Sequence, residues 1–321
     1  MEHLPVSLED VQAAAERVKA FAYRTPIYFS DAWSSITGAE AYLKLECYQP
    51  IRAFKIRGAA NKLVQLNPNE RKLGVVAASS GNHGLAVAYV AKRLGIPAKI
   101  VVPTTAVSAK VEAIEEQGAT VFPCGTLGRQ RIEKALKIAE ETGAVFIHSF
   151  DDLDVIAGQG TVGLEIVQDL PEVDSVVVPV GGGGLISGIA VAVKSTKPSV
   201  RVVGVQAEGA ASMYESIRQD KPVVLDRVDT IADGLSPGEA GRYTFEIARK
   251  LVDSVILVSD NEIRDATMSL LDKSHVLAEP SGAAGLAAAK KLGLRRGEKV
   301  VFVVSGGNIS RKVLQGLICS Q

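Results

Sequence analysis

GVVAASSGNHGLAVAYVAKRLGIPAKIVV, residues 74–102, reads as strand, polar turn, helix, strand. GVVAAS (74–79) and AKIVV (98–102) are short apolar runs rich in β-branched residues. LAVAYVAKRLG (85–95) repeats its apolar residues at helical spacing and ends on glycine. Two strands joined by a helix pair in parallel, with a right-handed crossover. The alternation extends outward in both directions. ATVF (119–122) and AVFIH (144–148) follow as strands, with a helical pattern, LGRQRIEKALKIAEETG (127–143), between them. DSVVVPV (174–180), RVVGVQA (201–207), SVILVS (254–259) and KVVFVVS (299–305) are almost continuously apolar, as strands covered on both faces must be. Helices are expected at 155–169, 185–196, 238–250, 261–273, 281–292 and 309–318. Upstream, a strand fits 41–45, and Ser7 with Asp10 forms a capping-box pattern opening a helix over 8–20. Gln219 to Pro237, with two prolines and scattered charge, is expected to be a surface excursion. The expected fold class is α/β, mostly parallel and flanked by helices; the two series of strands fit two open twisted sheets facing one cleft, although composition marks no boundary between them.

A chain of 321 residues, 47% of them apolar, has the material for two cores. Its 36 Lys and Arg balance 36 Asp and Glu, so no basic stripe points to nucleic acid. No uninterrupted apolar run is long enough to span a membrane. The start, MEHLPVSLEDVQ, is acidic and has no apolar centre, so a signal peptide is not expected and the expected location is cytoplasmic. Cys47, Cys124 and Cys319 are far apart, without metal or redox spacing, and read as thiols in a reducing compartment.

In open α/β sheets ligands bind beyond the carboxyl ends of the strands. Three of those ends run into small polar turns followed by helices: SGNHG (Ser80 to Gly84), GGGG (Gly181 to Gly184) and SGGN (Ser305 to Asn308). Four glycines in a row let backbone N–H groups converge on an anion, and the next helix adds its positive end. A phosphate is the expected occupant. GGGGLISG lacks the Lys-Ser/Thr ending of a Walker loop. As a dinucleotide fingerprint it gives Gly182 and Gly184, then Ser187 where glycine is wanted. A looser variant ending at Gly188, with Glu208 as the ribose acid, keeps that reading open, although it leaves the other two turns unexplained. AFKIRGA (53–59) sets Lys55 between Phe54 and Ile56 at an expected helix start, where apolar neighbours and the helix dipole both lower an amine's pKa.

FKIRGA (54–59), SSGNHG (79–84), AGQGT (157–161), PVGGGGLISG (179–188), TIADG (230–234), EPSGA (279–283) and SGGN (305–308) occur in one order. From Thr25 to Ser310 the chain resembles a fold-type II pyridoxal-phosphate enzyme of the threonine/serine dehydratase and serine racemase group. The resemblance implies pyridoxal 5'-phosphate as cofactor and a small-molecule amino acid as substrate. It implies that Lys55 carries the cofactor and later removes the Cα proton, with Phe54 beside the pyridine ring. Asn82 would bond the 3'-hydroxyl, Gly181, Gly182, Gly183 and Gly184 the phosphate, and Ser305 the pyridine nitrogen. The turn Ser79, Ser80, Gly81, Asn82 and His83 would take the substrate carboxylate. A neutral Ser305 would leave the nitrogen unprotonated, which favours elimination over transamination. The resemblance also implies a homodimer or homotetramer. It implies a large domain, 1–66 and 149–321, with a small α/β domain, 67–148, inserted into it.

Several positions depart from the group's pattern. Ala53, preceded by Arg52, stands where many relatives have serine. Phe150 stands where a racemase has asparagine and dehydratases have phenylalanine, while Ser80 matches the racemases' opposite-face acid/base. The racemase-like members bind a divalent cation through acidic residues. Here Gln206 and Ser212 occupy two such positions, with Glu208 and Ala210 nearby, so no metal ligand is assigned and a cation is left open. Glu279 fits either a cofactor-side carboxylate or a cap on the helix after Pro280. His83 is expected to line the turn, and His148 is given no chemistry. The chain stops soon after SGGN, so feedback control through a C-terminal sensing domain is not expected. The expected activity is dehydration of L-threonine, L-serine or a related β-hydroxy amino acid to a 2-oxo acid and ammonia. Serine racemisation and dehydration of threo-3-hydroxyaspartate or phenylserine are the alternatives.

Overall fold

The computed structural model describes residues 4–319. Its strands, in chain order, are β1 (Ile27–Phe29), β2 (Glu40–Leu45), β3 (Val75–Ala78), β4 (Ala98–Val102), β5 (Thr120–Pro123), β6 (Val145–Phe146), β7 (Ser175–Pro179), β8 (Arg201–Ala207), β9 (Ser254–Val258) and β10 (Lys299–Val304). They form two sheets, ordered β1-β2-β10-β7-β8-β9 and β5-β4-β3-β6. Every pairing is parallel except β1 with β2. The apolar runs explain the order. β7 and β10, both rich in valine, lie at the centre of the larger sheet, and Val176, Val177, Val178, Val300 and Val301 are fully buried.

The helix starts follow local chemistry. Ser7 and Asp10 close the expected capping box on Leu8–Val18, and Ser259 with Glu262 does the same for Asp260–Ser274. Some expected elements are shorter. AVFIH forms a strand only over Val145–Phe146, because the backbone turns at His148, whose ring accepts from the N–H groups of Phe150 and Asp151. The helix expected over 238–250 begins at Arg242, where Asp151 caps it from another part of the chain. The one expected over 281–292 ends at Ala287 and passes into a short 3-10 turn. Gln219–Pro237 corrects the surface reading in part. Its first half is largely exposed, but Ala232 and Leu235 enter the core and Gly234 to Pro237 pack against Gly181.

The helix Lys55–Val64 positions the site and is clamped from two sides. It lies on the helix Leu153–Asp169 at a glycine crossing. A Cβ on Gly58 would meet Val155 Cγ1 at 2.8 Å, and one on Gly158 would meet the Arg57 carbonyl at 2.6 Å. Gln159 accepts from the Gly58 N–H at the same crossing. On the far face, the buried Arg57 binds Glu46 through Nε at 2.8 Å and Glu165 through Nη1 at 2.7 Å, and Lys44 binds Glu165 at 2.6 Å. Burial pushes the Glu46 carboxyl up, but the Arg57 guanidinium outweighs it and holds the carboxyl below the usual range. The end of β2 and two helices are thus tied together one turn behind Lys55.

Candidate active site

Lys55 is the first residue of its helix, with Phe54 at the cap position. Its ammonium lies 5.0 Å from the centre of the Phe54 ring and donates to the Ser149 carbonyl at 2.7 Å. Burial removes its hydration, with no carboxylate to compensate, and brings its pKa down to about 8. An amine so placed is within reach of its neutral, nucleophilic form near physiological pH.

The glycine turn follows β7 and opens the helix Gly184–Thr196. Gly183 has φ +96°, a conformation that side chains strain to adopt. A Cβ there would also meet Met213 Cε at 2.5 Å and Thr244 Cβ at 2.9 Å. A Cβ on Gly182 would enter the Phe150 ring at 2.5 Å. The carbonyls of the turn are occupied. Gly182 O accepts from Thr244 Oγ1 at 2.7 Å, Gly183 O from Ser187 N at 2.9 Å, and Gly181 O from Gln206 Nε2 at 3.4 Å. The N–H groups of Gly181, Gly182 and Gly183 meet no acceptor among the described residues. Donors free, carbonyls turned away and a helix N-terminus behind make an anion cradle.

The second turn leads into the helix Asn82–Leu94, with Gly81 at its cap. Ser79 Oγ accepts from Gly81 N at 3.2 Å, while the half-buried Ser80 hydroxyl has no partner among the described residues. His83 is buried, and its Nε2 lies 3.0 Å from the Ile147 carbonyl. A carbonyl only accepts, so the proton sits on Nε2. Burial is the first cause that drives the ring's pKa down to about 3, so it is a neutral structural donor. In the third turn, Ser305 is buried, its carbonyl accepts from Phe54 N at 3.1 Å, and Ala53 bridges Gly306.

Contacts between the turns bring the predicted residues together. Phe54 links Lys55 to Ser305. Ser149 links Lys55 to Phe150, which lies on Gly182 and Gly184. Asn82 donates to Glu279 Oε1 at 2.6 Å and accepts from Asn308 at 2.7 Å. Glu279 therefore does not cap its helix through the side chain. Burial raises its carboxyl to about 7. Arg52 is exposed in a left-handed conformation, φ 57°, and its carbonyl holds Gly307 N at 2.9 Å. Ser149, Thr244 and Asp151 belong to no sequence motif and emerge only from tertiary contacts. Asn308, already inside SGGN, had no role assigned from sequence. Where the racemase-like members have an acidic residue, Gln206 is fully buried and accepts from Tyr214 N at 3.0 Å. Among the described residues no three His, Cys, Asp or Glu side chains gather as a metal site. No helix there is long and apolar enough to cross a membrane.

Comparison with known proteins shows the family and the fold of the chain. The family described as "Pyridoxal-phosphate dependent enzyme" matches residues 18–306. An L-threonine ammonia-lyase of Thermotoga maritima is 47% identical over 98% of this chain and 78% of its own length. A catabolic L-threonine dehydratase of Escherichia coli (strain K12) is 42% identical over 95% of this chain and 94% of its own. The solved structure of maize serine racemase superposes with a TM-score of 0.93 at 38% identity, covering 98% of both chains.

Proposed function

The chain belongs to the pyridoxal-phosphate dependent enzyme family, and from that premise we propose that it is a dehydratase (ammonia-lyase) converting L-threonine, L-serine or a close β-hydroxy relative to a 2-oxo acid and ammonia. The observation that carries this reading is the convergence of one desolvated lysine with an anion cradle and two further polar turns. These residues fit the cofactor. The open N–H groups of Gly181 to Gly184 match a phosphate, Phe54 a ring edge, Asn82 a ring hydroxyl, and the Ser305 hydroxyl, which makes no hydrogen bond to a described residue, a ring nitrogen. When bound, the cofactor supplies an electron sink for the Cα–H bond electrons.

Every other step belongs to the chain. Lys55 Nζ would hold the cofactor and, as a neutral amine, would take the Cα proton of the substrate. The N-terminal turn of Asn82–Leu94, with Ser79, Ser80, Gly81 and His83, orients the substrate carboxylate. Ser305, a neutral partner, would leave the ring nitrogen unprotonated, which would favour loss of the β-hydroxyl over amino transfer. We read residues 67–148, which carry the smaller sheet, as a domain inserted into 1–66 and 149–321. The assembly is read as a homodimer or homotetramer.

Racemisation of serine is the second reading. The unpartnered Ser80 hydroxyl favours it, since a proton donor on the opposite face from Lys55 is what inversion needs. Both readings are tested by incubating the holoenzyme with L-threonine, L-serine, threo-3-hydroxyaspartate and phenylserine. The assay follows 2-oxo acid and the chirality of the remaining substrate. Fast 2-oxo acid release from one of them supports the dehydratase. D-serine accumulating faster than pyruvate would replace it with the racemase.

A further inference from the structure

Asn82 has an amide that could face a bound ring oxygen with either its N–H or its carbonyl, and the two choices have opposite effects. The surroundings decide between them. Asn308 Nδ2 lies 2.8 Å from the Ile51 carbonyl and 2.7 Å from the Asn82 side chain. A peptide carbonyl only accepts, so the Asn308 atom at this point is its NH2 group. The Asn82 atom facing it must then be the acceptor, Oδ1. That turns Nδ2 to the other side, where Glu279 Oε1 accepts at 2.6 Å. One Nδ2 hydrogen is used by Glu279, and the second has no acceptor among the described residues.

Glu279 is well suited to this task. It is 5% exposed, and among the described residues its carboxyl makes no hydrogen bond other than that from Asn82. A Cβ on Gly306 would overlap its Oε1, so the carboxyl lies flush on the third turn. Burial first and Asp233 second raise the carboxyl, Asn82 and Lys110 lower it, and the balance lies at about 7. Ionised or protonated, the group keeps a carbonyl-type oxygen for the amide, so the orientation holds on both sides of its titration.

We propose that Glu279 and Asn308 are positioning residues that act through Asn82, fixing its amide so that an N–H, and not the carbonyl, meets the ring oxygen of the cofactor. This rests on the reading that Asn82 touches that oxygen. A donor there favours the ionised ring oxygen and so governs the absorption spectrum of the lysine-bound cofactor as well as its affinity. Among the described residues, the Asn82 amide makes no hydrogen bond other than those with Glu279 and Asn308.

The test is a double-mutant cycle on the holoenzyme, read by cofactor affinity and by the position of the cofactor absorption band. Asn82→Ala and Glu279→Ala each shift the band and weaken cofactor binding about tenfold, the scale of one lost charge-assisted hydrogen bond. The double variant binds no worse than Asn82→Ala alone, because the proposed effect of Glu279 passes through the Asn82 amide. Glu279→Gln keeps an acceptor oxygen and restores the band. Asn308→Ala, on the opposite arm, reproduces the shift. Additive losses in the double variant, or a wild-type band in Glu279→Ala, would overturn the proposal. A wild-type band and affinity in Asn82→Ala would instead remove the underlying contact, and the proposal with it.

Discussion

Lys55 is a half-buried base and His83 a buried one, and their surroundings give them opposite work. The Lys55 amine is a nucleophile only when neutral, and its pKa is lowered to about 8. The rate at which cofactor-free enzyme captures pyridoxal phosphate is therefore expected to rise with pH and level off above about 8. A profile still rising steeply at pH 10 would mean an unperturbed lysine. His83 stays neutral in the fold down to about 3, against 6.5 in the unfolded chain. A depressed folded pKa gives stability that is present above pH 6.5 and lost as pH falls toward 3. Glu279 works in the opposite sense. Its folded pKa of about 7 lies above the 4.5 of a free glutamate, so its contribution falls as pH rises between them. The two offset each other in the wild type between 4.5 and 6.5. The His83→Gln variant, compared with wild type by urea unfolding, isolates the histidine: its stability loses about 1 kcal/mol per pH unit less on acidification. Equal acid slopes would mean that His83 is protonated in the fold. Lys55 and His83 were both in motifs legible from sequence. Glu279 was legible only as two alternatives, because the choice between cap and site carboxylate depends on where Asn82, 197 residues away, comes to lie.

At the scale of elements, the glycine turn and the ion-pair clamp carry the arrangement. Gly183→Ala puts a side chain at φ +96° and into Met213 and Thr244. Such strain costs about 1–3 kcal/mol, and the turn must open to relieve it. Cofactor affinity is expected to fall at least tenfold while the circular dichroism of the fold survives; an unchanged affinity would mean that the turn does not hold the phosphate. Behind the Lys55 helix, Arg57→Ala leaves Glu46 buried without its guanidinium. The expected loss is about 3–5 kcal/mol in urea unfolding, and a loss below about 1 kcal/mol would mean that water reaches the pocket. GGGG announced itself in the sequence, since its composition has few other uses. The clamp did not. Lys44, Glu46, Arg57 and Glu165 are spread over 121 residues, and an isolated charged residue in sequence reads as a surface one. The same holds for Thr244 and Asp151, whose roles exist only after the chain has folded back.

Across the whole molecule, the strand-helix alternation made the class of fold readable, because parallel strands buried on both faces leave a continuous apolar signal. The short pieces escaped: β1, the helices Asp31–Thr37 and Ser108–Glu115, and the helix Ser212–Gln219 are held by neighbours more than by their own periodicity. The division into two sheets was not readable from composition, since both are built from the same residues; only the family resemblance suggested where one interrupts the other. The two sheets meet at the site. Lys110, on the helix after β4, pairs with Asp233 at 2.6 Å, beside the Gly234–Pro237 segment that packs on Gly181. The most direct measurement of the whole account is borohydride reduction of the cofactor-loaded protein, followed by tryptic mass spectrometry. The account predicts a single phosphopyridoxyl group, on Lys55, within the peptide Ala53–Arg57 left uncleaved at the modified lysine. Label on any other lysine, or none on Lys55 in a protein that has bound the cofactor, would contradict it.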